Sequence, residues 1–160
     1  MIVVSDASPL NYLVRIRAER LLPALFESVF VPPAVVSELS DARTPISVRE
    51  FVANPPNWLH VQGPARVDSS IPLDPGELEA IALAEELSAT LLIDERVGRR
   101  IARSRGLIVT GTLGVLELGA ERGLISLPDA VRELRQTDYR ISEAIIKGAI
   151  QRDEHRRRRP

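Results

Sequence analysis

Four short apolar runs, IVV at 2–4, VFV at 29–31, LLI at 91–93 and LIV at 107–109, alternate with longer stretches of helical period such as LNYLVRIRAERLLPALFES and ELEAIALAEELSA. Uninterrupted apolar runs of this length suit strands covered on both faces, and the intervening helices supply the cover. The alternation predicts α/β layers around a mainly parallel sheet. In such a sheet a helix follows the carboxyl end of each strand, and ligands bind in the crevice outside those ends. The residues standing there are the candidates for chemistry.

Acids stand there. Asp6 closes IVVSD and Asp94 closes TLLID, so two strands deliver carboxylates to one edge. The helix GELEAIALAEELSA runs antiparallel to the strand ending at Asp94, which brings its first turn, with Glu77 and Glu79, to the same edge. Glu38 lies about a turn and a half into the helix of PPAVVSELS. Local roles compete for each: Asp6 as a turn residue, Asp94 as the cap of a helix beginning at Glu95, Glu77 as the partner of Asp74 in a capping box. Ser8-Pro9 reads as an N-cap followed by proline in the first helical position, with Ser8 secondarily a partner of Asp6. SRG at 104–106 and ERG at 121–123 read as glycine C-caps.

Several carboxylates converging without lysine raise one another's pKa, and a divalent cation resolves the conflict. Oxygen ligands favour Mg²⁺ or Mn²⁺, while two histidines far apart, His60 and His155, do not suggest zinc. A centre of this kind suits in-line displacement at a phosphodiester.

The chain has 160 residues, enough for one core, read as a single domain over 1–150 with an arginine-rich tail at 151–160 expected to fray. The region 41–70 reads as a helical excursion plus an irregular crossing within that domain. Without cysteine, disulfides and thiolate metal sites are excluded, and every apolar run is too short to span a bilayer. A soluble, unprocessed cytoplasmic protein is the expectation. Net charge is −1, so no global field attracts nucleic acid, but five arginines crowd RVGRRIARSR and four more stand at 156–159. Arg96, Arg99, Arg100 and Arg103 follow helical spacing beside Asp94, where they suit either a solvated face or contacts to substrate phosphates.

Together VVSDASPL, VFVPPAVVSEL, LDPGELEAIALAEELSATLLIDERVGRRIA and GLIVTGTLGVL resemble the PIN domain, in particular the small prokaryotic DUF3368-like branch of predicted nucleic-acid-binding proteins allied to VapC-type toxins. The resemblance implies a three-layer α/β/α sandwich and Mg²⁺- or Mn²⁺-dependent cleavage of single-stranded or structured RNA. It places the family's acids, as catalytic and metal-binding residues, at Asp6, Glu38, Glu77 and Asp94, with Glu79 a competitor for the third. Glu stands where the family usually has Asp at that third place, and where a further acid often follows, this chain has Thr110 and Thr112. The toxin kinship implies a small antitoxin that blocks the site. Apolar stripes in LNYLVRIRAERLL suit such a partner or a homodimer, and core packing explains them equally.

Rival enzyme classes fit poorly. Haloacid-dehalogenase chemistry needs a second Asp where Ser8 stands, and a receiver domain needs a strand-end lysine, whereas Lys147 is the only lysine. The remaining alternative is a non-catalytic RNA- or protein-binding module that keeps this fold with a degenerate metal site.

Overall fold

A computed structural model describes residues 1–160. In chain order the elements are β1 (Ile2–Ser5), α1 (Ala7–Arg15), α2 (Leu21–Leu25), β2 (Ser28–Val31), α3 (Pro33–Leu39), α4 (Ile46–Ala53) and β3 (Leu59–Val61). Then come α5 (Pro75–Leu87), β4 (Thr90–Leu92), α6 (Arg96–Ser104), β5 (Val109–Thr110), α7 (Thr112–Glu121), α8 (Leu127–Arg135) and α9 (Glu143–Arg157). The sheet order is β3-β2-β1-β4-β5 and every pairing is parallel. From the central β1 the chain moves outward through β2 and β3, then crosses back to β4 and β5. The order therefore reverses between β1 and β4, whose carboxyl ends flank the crevice.

Strand side chains alternate between two cores, as a doubly covered sheet requires. Val3, Val29, Val31 and Leu92 face the larger core, filled by Leu10 and Leu13 of α1, Leu22 of α2, Val48 of α4, Leu116 of α7, Leu134 of α8 and Ile146 of α9. Val4, Leu91 and Ile93 face the other, built by Ala80, Ile81 and Leu83 of α5 with Ala102 of α6. The result is the α/β/α sandwich. No helix is long and apolar enough to cross a membrane.

Three local readings are corrected. The crossing at 41–70 hides the edge strand β3, where only Leu59 is buried while His60 and Val61 are exposed, so no apolar run marks it. The cap position of α1 is Asp6, not Ser8, and Pro9 is the third helical residue. The arginine-rich end does not fray at 151: α9 continues to Arg157 because Arg156 and Arg157 pair with Asp153, which is 2 % exposed. Basic side chains in the last turn also complement the helix dipole. The glycine C-caps hold, with Gly106 and Gly123 at φ 83° and 70°, in the left-handed region that side chains avoid.

Candidate active site

β1 ends in Ser5, and the next residue, Asp6, turns the chain into α1 at the switch point. Its N–H donates to the Leu92 carbonyl at 2.8 Å, which ties the turn to β4. The side chain is 5 % exposed and its Oδ1 has no hydrogen-bond partner. Burial is the main force lifting its pKa to about 7; Glu38, Asp74 and Asp94 push the same way, and a hydrogen bond from the Ala7 N–H opposes them.

Glu77 faces the same difficulty. Asp74 caps α5 by accepting the Glu77 N–H at 2.9 Å, but the Glu77 side chain makes no return bond, so the capping box is half built. Instead Glu77 Oε2 is buried without a partner. Burial first, then Asp74, Asp6 and Glu95, hold this carboxyl well above its usual range. It lies over Gly98 in the first turn of α6, where a Cβ would sit 2.9 Å from Glu77 Oε2 and 2.6 Å from Ile93 Cδ1. Any larger residue there forces one of these two side-chain tips to shift.

Glu38, near the end of α3, reaches across to α5, its Oε2 3.2 Å from the place of a Cβ on Gly76. Partial desolvation and then Asp74 raise its pKa. Asp74, legible in sequence only as a helix cap, thus acts electrostatically on Asp6, Glu38 and Glu77 alike. Glu79 is elsewhere: its Oε2 accepts the Ala34 N–H at 3.0 Å and secures the start of α3. Of the two glutamates, Glu77 lies near Asp6 and Glu79 is turned to α3.

Asp94 is a different kind of acid. Its Oδ1 accepts the Thr112 N–H at 2.7 Å and the Tyr139 hydroxyl at 3.2 Å; its Oδ2 accepts the Thr112 hydroxyl at 2.7 Å and the Ser8 hydroxyl at 3.0 Å. It does not cap α6, because Glu95 takes that role with bonds to the N–H groups of Val97 and Gly98. Ser8 serves Asp94, not Asp6. Thr112 is a direct partner, whereas the Thr110 methyl lies against Gly114. Tyr139, which in sequence reads as an ordinary core aromatic, completes the shell.

A groove of about 740 Å³ opens from Asp94 between α6, α7 and α9, lined among others by Arg96, Arg99, Arg103, Tyr139, Arg140 and Arg152. Arg99 donates to the Ile93 carbonyl at 2.9 Å and Arg152 pairs with Glu117 at 2.7 Å, while Arg96, Arg103 and Arg140 have no anionic partner. Arg100 is exposed and outside the groove. A separate, smaller cleft of about 410 Å³ is lined by Ser8, Tyr12, Arg15, Glu38 and Asp138 among others.

No three acidic or histidine side chains converge into a ready-made metal cage. Asp6 and Glu77 keep unpartnered buried oxygens and Glu38 is exposed, so these three are the residues that could hold a divalent cation if drawn together.

Comparison with known proteins identifies the family. A solved PilT N-terminus domain protein from the hyperthermophilic archaeon Sulfolobus solfataricus P2 superposes with a TM-score of 0.49 at 14 % identity, covering 89 % of this chain and 100 % of that one. The search of curated proteins returns no match. A family model described as a PIN domain, DUF3368, matches residues 2–155, and the chain belongs to the PIN-domain family.

Proposed function

We propose that the protein is a nuclease that hydrolyses RNA phosphodiesters with Mg²⁺ or Mn²⁺ held by Asp6, Glu38 and Glu77. The observation that carries this reading is the pair of buried carboxylate oxygens, Asp6 Oδ1 and Glu77 Oε2, left without donors at the switch point of the sheet. Buried polar atoms are normally paired, and two unpaired acids facing one crevice call for a positive partner. When bound, such an ion supplies Lewis acidity toward a phosphodiester.

The chain's own groups supply the rest. Asp74 keeps the local field negative, which favours any added positive charge, a bound cation or a proton. Arg96 and Arg103, unpaired in the groove beside Asp94, hold phosphates of a bound strand, and Arg99 fastens the head of that helix to β4 through the Ile93 carbonyl. Arg100, outside the groove, is not counted among these contacts.

The test is incubation of a mixed RNA pool and a matched DNA pool with and without Mn²⁺, and again with chelator. Cut RNA that depends on Mn²⁺ and vanishes in Asp6→Asn and Glu77→Gln supports the proposal. Intact RNA in every lane, with RNA affinity retained in chelator, replaces it with the non-catalytic binding module.

A further inference from the structure

We infer that Asp94 is a positioning residue and not a cation ligand, with the Tyr139 hydroxyl closing its last free site; the role assigned to the cation rests on the nuclease reading, the structural role does not. A carboxylate offers about four lone-pair directions. All four of Asp94 are taken, by Thr112 twice, Ser8 and Tyr139, at 2.7–3.2 Å. The contrast with Asp6 and Glu77, which each keep a buried oxygen without a donor, divides the acids of the crevice into two sets.

The donors are not loose surface groups that would yield to an ion. Thr112 is 0 % exposed and is the first residue of α7, so its N–H is one of the helix's orphan donors and has no substitute acceptor. Tyr139 is packed edge-on against Tyr12 with ring centroids 4.9 Å apart. Its neighbour Asp138 takes a hydrogen bond from Tyr12 at 3.2 Å and pairs with Arg15 at 2.6 Å, so the loop between α8 and α9 is fastened to α1 beside the phenol. Burial, and then the charge of Asp94, hold the Tyr139 hydroxyl well above its usual pKa, so it remains a donor. Gly111 allows the approach: a Cβ there would lie 2.7 Å from Asp94 Oδ1 and 2.9 Å from the Arg99 guanidinium.

Through these bonds Asp94 joins the start of α1, directly after Asp6, to the start of α7 and to the wall of the arginine groove. It sets where Asp6 stands relative to the groove. Removing Asp94 strands donors, whereas neutralising Asp6 or Glu77 relieves repulsion, so the two sets respond oppositely without metal.

Thermal melting in chelator and in Mn²⁺ tests this on wild type, Asp6→Asn, Glu77→Gln, Asp94→Asn, Tyr139→Phe and Thr112→Ser. In chelator above neutral pH, Asp94→Asn and Tyr139→Phe melt lower than wild type, Asp6→Asn and Glu77→Gln melt higher, and Thr112→Ser, which keeps both donors, stays near wild type. In Mn²⁺, the rise in melting temperature persists in Tyr139→Phe and Asp94→Asn with an unchanged Mn²⁺ midpoint, and is lost in Asp6→Asn. For cleavage below the melting range, Tyr139→Phe lowers kcat with the Mn²⁺ midpoint unmoved, which a purely structural bond would not do. A higher chelator melting temperature for Asp94→Asn overturns the inference, as does a tenfold tighter Mn²⁺ midpoint in Tyr139→Phe, the mark of an oxygen freed for the ion. If wild type shows no Mn²⁺ rise, the nuclease proposal fails, while the chelator ranking still decides the role of Asp94.

Discussion

Asp6 makes the metal-free protein sensitive to pH in a direction opposite to that of an ordinary salt-bridged carboxylate. Its pKa is about 7 in the fold against 3.8 for an unperturbed Asp, so the folded state binds a proton that the unfolded state releases. The contribution of this group is complete below pH 4, falls as pH rises through the window up to 7, and levels off above it. At about 1.4 kcal/mol per pH unit, the loss between pH 5 and 7 from this one group is about 2–3 kcal/mol. Because the side chain is 5 % exposed, solvent screening does little to reduce that figure. Glu77 acts in the same sense. Asp6→Asn removes one titrating proton and lowers the repulsion on Glu77, so its stability curve is flatter and crosses above wild type near neutrality. Urea denaturation in chelator at pH 5, 6, 7 and 8 measures the difference, since every other group titrates in both proteins. Parallel pH profiles for wild type and Asp6→Asn would show that Asp6 is ordinarily ionised, and the case for a cation between Asp6 and Glu77 would collapse with it.

Gly98→Ala sets a methyl against Ile93 and Glu77 Oε2; the overpacking costs about 1–3 kcal/mol, and Mn²⁺-dependent cleavage falls at least as far as in Glu77→Gln, as melting and kinetics will show. Arg103→Ala and Arg140→Ala weaken single-stranded RNA binding in chelator and reduce the salt slope by about 0.7 for each phosphate no longer neutralised, whereas Arg100→Ala leaves the slope unchanged. Deleting residues 156–160 strips Asp153 of its cations while it stays buried, lowering stability by about 3 kcal/mol; a truncated chain that melts like wild type would return the tail to the role of a loose basic arm.

The layered fold was legible because β1, β2, β4 and β5 carry apolar runs, and Asp6, Asp94 and the head of α5 followed from which ends of strands meet a parallel crevice, whereas Glu38 came only from the family resemblance. β3 escaped notice because an edge strand with one buried side chain has no pattern to read. Asp74 was hidden behind a sufficient local reason for its presence: it caps α5, and nothing in DPGE shows that its charge also bears on Asp6 and Glu38. Glu77 and Glu79 stand two residues apart, about 200° around the helix, so only one of them can face the crevice; deciding which needs the rotation of α5, and the structure turns Glu79 to α3. Tyr139 reaches Asp94 across 45 residues of sequence, and no local signal connects them.

The shell around Asp94 has a consequence for the order of assembly. Asp6, Glu38 and Glu77 all lie in the first half of the chain, but the bonds that align them draw on Ser8, 86 residues before Asp94, on Thr112, 18 after it, and on Tyr139, 45 after it. Contacts of such long range form late, since loop closure must precede them. A chain emerging from the ribosome therefore presents its three crevice acids well before α7 and the α8–α9 loop exist to set Asp6 against the arginine groove. On the nuclease proposal, cleavage is expected to appear only when the last third of the chain has folded, which a comparison of full-length and C-terminally truncated chains checks.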